Sequence, residues 1–338
     1  MYTKYYGLAN KPFSIVPDPD TVYMSEGHQE ALAILRYGVI DRKGFLMLTG
    51  GVGTGKTTLL QLLLKSMDSN IHVCLLANPT LSIDDFYYYL AAKYGLREFE
   101  GNKAKFMLDF ADFLKKCRRQ NERVLLIVDE AHAMPVELLE EIRLLSNQEY
   151  QEYGIMSIFL VGQPELNDHL AHERLLPLLQ RIGIRYHLQP FSWEDTGKYI
   201  LFRLTRSGGQ SAEIFTRQAI ERIHEHSKGV PRLINIICDQ ALLSGFAEGA
   251  PVIEEEMIQQ CIMDLNIYNS SNPPPPASKK AALNHSWLVF KNVLLTSLWL
   301  LIIIVVVMAA LFVFWDINPI GIINKAGNWL LDFIFKLF

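Results

Sequence analysis

Residues 50–57 read Gly50-Gly51-Val52-Gly53-Thr54-Gly55-Lys56-Thr57. Glycines at these positions let the backbone curl until its N–H groups point inward, a cradle for phosphate oxygens. A lysine directly after the last glycine would reach the β and γ phosphates of a nucleotide, and the hydroxyl of Thr57 would bind Mg²⁺. The run matches G-x-x-x-x-G-K-[ST] in full, and Thr58 extends the nucleotide-binding stretch by one residue. A strand-like FLMLT precedes it and an apolar helical segment, TTLLQLLLKSM, follows. The helix N-terminus adds a partial positive charge that favours an anion.

A second run, Leu125-Leu126-Ile127-Val128-Asp129-Glu130, ends four apolar residues in two carboxylates. This is the Walker B pattern. Asp129 at a strand tip would hold Mg²⁺ through water, and Glu130 would orient and activate the attacking water. Ala131 and His132 complete the letters D-E-A-H. A helicase core needs a second α/β domain, which the helical residues 191–268 do not supply. Gln163 follows the apolar run SIFLV and could sense a γ-phosphate from a strand tip. Arg181, just before IRYHL, could project into a neighbouring subunit's site; Arg174 and Arg185 compete for that role. Arg232, in Gly229-Val230-Pro231-Arg232, could touch the phosphates from the start of a helix.

These residues need a frame. Apolar runs at 44–50, 71–78, 124–130, 157–162 and 184–190 are strand-like, with helical spacing between them, as in Phe106, Phe110, Phe113 and Leu114. Continuous apolar strands alternating with helices predict an α/β domain with a parallel sheet covered on both faces, over residues 1–190. After it the pattern is helical only. Ser192 caps a helix to about Arg206, Thr216 caps one to Ser227 that Gly229 ends, and a third runs from Pro231 to about Phe246. Residues 191–268 thus read as a small all-helical lid domain.

The 338 residues allow about two domains at roughly 150 residues each. A net charge of −4 and a pI near 6.2 argue against nucleic acid as a partner. Cys74, Cys117, Cys238 and Cys261 form no C-x-x-C pair, which excludes a zinc ribbon and a disulfide scaffold. The start, MYTKYYGLANKPF, has no apolar core and predicts no cleavable signal peptide. Residues 269–292 contain four consecutive prolines and read as a linker. From Val293 to Trp315 run 23 residues without a charge, about 34 Å as a helix, which predicts a transmembrane helix. Lys279, Lys280 and Lys291 before it put the large N-terminal part in the cytoplasm, as a single-pass protein of the inner membrane. The tail, 316–338, is apolar with scattered charges and could lie as an interfacial helix or pack on a partner's membrane helices.

Taken together, the motifs resemble those of an AAA+ ATPase: strand, P-loop, helix, Walker B with a glutamate, a polar strand tip, an arginine before the fifth strand, and Gly-x-x-Arg in a helical lid. The resemblance narrows to the general secretion pathway protein A family. It rests on Tyr6-Gly7-Leu8, Lys11-Pro12-Phe13, Pro17-Asp18-Pro19, His28-Gln29-Glu30-Ala31-Leu32, Leu139–Asn147, Val161–Leu166 and Gln180-Arg181-Ile182. It implies an ATPase that uses Mg²⁺ and ATP, works as a ring-shaped homo-oligomer and serves assembly of a cell-envelope machine with membrane proteins as partners. Members of the secretion branch carry a periplasmic peptidoglycan-binding domain beyond the span, and the 23 residues after Trp315 are too few for one. An ATP-gated scaffold with little turnover and a DNA-associated regulator like the transposition ATPases are the competing readings.

Lesser features read as structural. Lys115-Lys116-Cys117-Arg118-Arg119 is expected on a solvated helix face, and Glu254-Glu255-Glu256 in a helix first turn. Tyr87-Tyr88-Tyr89 should straddle core and surface. His169 and His172 have no matching ligand set for a metal.

Overall fold

The computed structural model describes residues 1–265 except 15–21, 42–43, 153 and 209–213, with only the backbone described at 148–152. They fall in a compact unit running from Met1 to Asn269. Five strands form one sheet: β1 Phe45–Gly50, β2 Ile71–Leu76, β3 Arg123–Val128, β4 Met156–Gly162 and β5 Ile182–Leu188. Their order is β2-β3-β4-β1-β5 and every pairing is parallel. Parallel neighbours need crossovers, and helices supply them. α1 Tyr2–Tyr5 and α2 Glu26–Ile40 precede the sheet, and α3 Lys56–Lys65 follows β1. α4 Ile83–Tyr94 and α5 Lys103–Arg119 follow β2, and α6 Val136–Glu152 follows β3. α7 Glu165–Leu170 and α8 Leu176–Leu179 follow β4.

Burial sorts the strands by position. β1 and β4 are buried along their whole length, whereas the edge strand β5 is buried only at its two ends and alternates exposed and half-buried residues between them. A central parallel strand is covered on both faces and needs apolar residues throughout. Successive side chains of β3 then enter different cores. Leu126 and Val128 join Phe86, Phe110 and Ile142 of α4, α5 and α6. Leu125 and Ile127 join Leu35 of α2 and Leu60 of α3. The P-loop therefore leaves the sheet from an interior strand held on both sides.

Four helices follow the sheet: α9 Trp193–Arg206, α10 Arg217–Ser227, α11 Pro231–Glu248 and α12 Glu255–Asp264. Ser192 and Thr216 cap α9 and α10, accepting from Asp195 N–H and Ala219 N–H. Glu254 precedes α12, with Glu255 and Glu256 in its first turn. α10 ends at Ser227 as expected, but the left-handed cap is Lys228 (φ 54°), one residue before the glycine expected to end it. Tyr2, Leu8 and Phe13 are buried among these helices, beside Ile200, Ile234 and Cys238. The first residues of the chain thus pack with its helical part and not with the sheet.

The expected placement in the inner membrane is corrected. Among the described residues no helix is long and apolar enough to cross a membrane. The longest described helix, α11, has 18 residues and carries Arg232, Asp239 and Glu248. The linker 269–292, the expected transmembrane helix 293–315 and the tail 316–338 lie outside the described residues.

Candidate functional site

Gly53 and Gly55 adopt φ of 76° and 104°, conformations that disfavour any side chain. They curl the loop after β1 around a cleft of about 410 Å³ lined by Lys56, Thr57, Thr58, Glu130, Gln163 and Arg232. Lys56 lies inside the loop it follows. Its Nζ donates to the carbonyls of Gly50 at 2.8 Å and Gly51 at 2.9 Å. Burial pushes its pKa down, and the nearby carboxylates of Glu130 and Asp129 oppose that shift. Thr54 tightens the curl by donating its hydroxyl to Gly51 O at 2.9 Å.

Two oxygen ligands meet on the floor. Thr57 Oγ1 donates to Asp129 Oδ2 at 3.0 Å, and Asp129 Oδ1 accepts from Glu130 N–H at 3.0 Å. Burial raises the Asp129 pKa, while both hydrogen bonds pull it down. A hydroxyl beside a carboxylate is a donor set that suits a hard dication such as Mg²⁺. Glu130 follows in a left-handed conformation (φ 55°), a strain of about 1–3 kcal/mol for a non-glycine residue. That turn carries its carboxylate to the cleft wall.

His132 stands between Glu130 and Gln163. Its Nδ1 lies 3.4 Å from Glu130 Oε2, and its Nε2 lies 2.9 Å from the Gln163 side-chain amide. The Gln163 backbone N–H donates to Nδ1 at 3.4 Å. The approach is close: a Cβ on Gly162 would sit 3.1 Å from the His132 backbone nitrogen and 3.4 Å from its Nδ1. The letters D-E-A-H contained this residue, but a one-dimensional reading had no reason to pair it with a strand tip 31 residues away.

A second histidine supports the loop from behind. His28, at the start of α2, is 4% exposed. Its Nδ1 faces Ser25 Oγ at 2.7 Å and its Nε2 faces Thr54 O at 3.0 Å, with the Phe191 ring 5.2 Å away. Burial lowers its pKa; the bond to Thr54 and the charge of Asp195 act the other way. The neutral ring with its proton on Nε2 satisfies both partners. At the other end of the cleft, Tyr23, Phe191 and Tyr199 form an aromatic cluster, and the Tyr199 hydroxyl donates to Asn235 at 2.8 Å.

The helical part meets the loop through Arg232. Its backbone N–H donates to Gly53 O at 3.4 Å, and a Cβ on Gly53 would lie 2.7 Å from Arg232 Cβ. Gly229 serves this junction. Its carbonyl accepts from Phe191 N–H at 2.9 Å, and a Cβ there would lie 2.0 Å from Phe191 O.

The three candidate bridging arginines lie outside the cleft lining and bond within their own chain. Arg181 donates to Arg143 O at 3.1 Å, Ser146 Oγ at 2.7 Å and Asn147 Oδ1 at 2.7 Å, all on α6. Arg174 pairs with Glu137 at 2.9 Å, and Arg185 donates to Leu179 O at 2.9 Å.

Comparison with known proteins places this geometry. Residues 40–170 match the family model described as an AAA domain. The fold is shared with the Aeropyrum pernix ORC2 protein in its ADPNP–ADP complexes, at a TM-score of 0.56 and 16% identity over 75% of this chain and 71% of that one. It is shared also with Drosophila ORC bound to DNA, at a TM-score of 0.57 and 15% identity over 76% and 65% of the two chains. Residues 40–170 thus form an AAA domain. Within that class it is similar to general secretion pathway protein A of Aeromonas hydrophila, 41% identical over 251 residues. That alignment spans 74% of this chain and 46% of the relative, so the chain spans under half of the relative's length.

Proposed function

We propose that the chain binds Mg·ATP in the cleft and hydrolyses it as a subunit of a homo-oligomeric ring, and that turnover drives or regulates assembly of a bacterial cell-envelope machine. The observation that carries this reading is the convergence on one cleft of Lys56, the Thr57–Asp129 pair, Glu130 and Arg232. The likeness to a secretion-pathway protein supports the assembly role.

In this scheme the P-loop N–H groups cradle the phosphates. The Lys56 ammonium exchanges its bonds to Gly50 and Gly51 for β and γ oxygens. Thr57 and Asp129 would hold Mg²⁺, which neutralises phosphate charge when bound. Glu130 orients the attacking water and accepts its proton. Gln163 contacts the γ-phosphate, with His132 holding its amide. The aromatic cluster at Tyr23, Phe191 and Tyr199 offers the apolar surface a purine needs. Arg232 reports nucleotide state to the helical lid. Arg181 enters as the residue given by a neighbouring subunit, for which it must release α6.

The test is ATP turnover per subunit against protein concentration for the full chain. Wild type should accelerate with concentration. Glu130→Gln should bind ATP and lose about a hundredfold or more in turnover, and Arg181→Ala should lose the concentration dependence. A Glu130→Gln protein as fast as wild type overturns the reading.

A further inference from the structure

In the stretch of chain between the two nucleotide-binding runs, three side chains with metal-ligating atoms converge from β2, α5 and the α5–β3 connection. His72 lies near the start of the edge strand β2. Cys117 is in the last turn of α5, and Glu122 lies in the connection from α5 to β3. One ligand atom from each falls within 4.8 Å of the other two, and His72 Nε2 is 2.9 Å from Glu122 Oε2.

The backbone builds this cluster. α5 ends in a tight reversal, with Asn121 in the left-handed region (φ 53°) and Glu122 N–H donating to Cys117 O at 2.8 Å. That bond holds Glu122 against the last helical turn. Arg123 N–H then donates to Asn70 O at 3.0 Å, which sets the start of β3 beside the residue leading into β2 and brings His72 level with the pair. Phe113 of α5 packs its ring edgewise on His72 at 5.2 Å. Cys117 belongs to the buried stripe of its helix, not to the solvated face expected for its basic neighbours. His72 and Glu122 are 37% and 27% exposed, which leaves an entry route on one side of the buried sulfur.

We propose that His72, Cys117 and Glu122 form a zinc site that clips the edge strand to the end of α5, with water completing the coordination. The donor set names the metal: one thiolate, one imidazole and one carboxylate suit a borderline-soft dication with four ligands. Mg²⁺ and Ca²⁺ call for oxygen donors throughout. Without metal the sulfur is protonated, because burial and then the charge of Glu122 push the thiol up to about 11. On binding, the Cys117 thiol proton leaves to solvent and the sulfur binds as thiolate. The imidazole gives up its contact with Glu122 and binds through Nε2, with its proton on Nδ1, while Glu122 binds through a carboxylate oxygen.

The experiment titrates the chelator-stripped full chain with Co²⁺ alone, then displaces it with Zn²⁺. One Co²⁺ per chain should bind with a thiolate-to-cobalt charge-transfer band, and Zn²⁺ should bleach it. Cys117→Ser should abolish the band. His72→Gln changes a half-exposed residue, so the fold should survive, and it should weaken binding by about tenfold or more. Asp129→Asn, in the nucleotide cleft, should leave the band intact. Absence of one-to-one binding in wild type, or a band that survives Cys117→Ser, overturns the site. So does His72→Gln with wild-type affinity.

Discussion

The backbone N–H of Arg232 donates to the carbonyl of Gly53, joining the first turn of α11 to the middle of the phosphate loop. The bond ties the first turn of α11 to the shape of the loop. Gly53→Ala should break it, since the added methyl would lie 2.7 Å from Arg232 Cβ at a φ of 76°. ATP affinity, read by titration with a fluorescent analogue, should fall by about tenfold or more, because a strained loop no longer presents its N–H groups.

Gly229→Ala acts on the same junction through packing and through backbone strain at its φ of 75°. Its methyl would overlap the Phe191 carbonyl, so the connection after β5 must shift. The expected cost is about 3 kcal/mol or more, seen as a lowered denaturation midpoint in the absence of nucleotide.

His132→Ala should leave ATP binding near wild type and lower kcat by about tenfold to a hundredfold. The imidazole touches Glu130 and Gln163 but does not line the cleft. Steady-state kinetics separate the outcomes: a changed KM with an unchanged kcat would mean that His132 shapes the cleft instead of positioning its wall.

Acid should loosen the P-loop support. The folded pKa of His28 lies below its ordinary value of 6.5 because the ring is buried. The unfolded chain therefore binds the proton more readily, and stability is lost as pH falls below about 6.5. The hydrogen bond to Thr54 and the charge of Asp195 favour protonation and oppose the effect of burial. Denaturant midpoints measured across this range should fall with pH in wild type and fall less steeply in His28→Gln, where His224 and His226, lowered by burial in the same direction, still contribute.

Nucleotide should stabilise the fold by mass action. At a hundred times Kd, Mg·ATP should add about 2.7 kcal/mol to unfolding, and Lys56→Ala or removal of Mg²⁺ with a chelator should erase most of it. Thermal melts with and without nucleotide check this.

Much of the phosphate site was legible in the sequence, because its geometry is local. Gly53, Gly55, Lys56 and Thr57 act through backbone torsions within one turn, and Asp129 sits at the end of an apolar run whose burial marks it as a strand. The five strands and the caps at Ser192 and Thr216 were legible for the same reason. Contacts made across long chain separations were not. Nothing near Gly229 in the chain announces that Phe191 O fills the space beside it. Arg181 reads as an arginine free to reach a neighbour, yet α6 accepts its hydrogen bonds. Cys117 reads as part of a basic surface run, and only the helix phase set by Phe106, Phe110 and Leu114 turns it inward.

The burial of Tyr2, Leu8 and Phe13 among the last described helices bears on how the protein is made. Tyr6 donates its hydroxyl to Ala250 O, 244 residues along the chain, and Tyr2 bonds to Asp239. On the ribosome the first segment emerges with its binding surface still unsynthesised. The sheet can close once β5 has appeared, but the helical layer must wait for α11 and α12 before it can take up residues made long before them. Such late, long-range closure is slow. During that interval Tyr2, Leu8 and Phe13 lack their partners, and a chaperone that holds this nascent segment would act at the step where the chain is most exposed to misassembly.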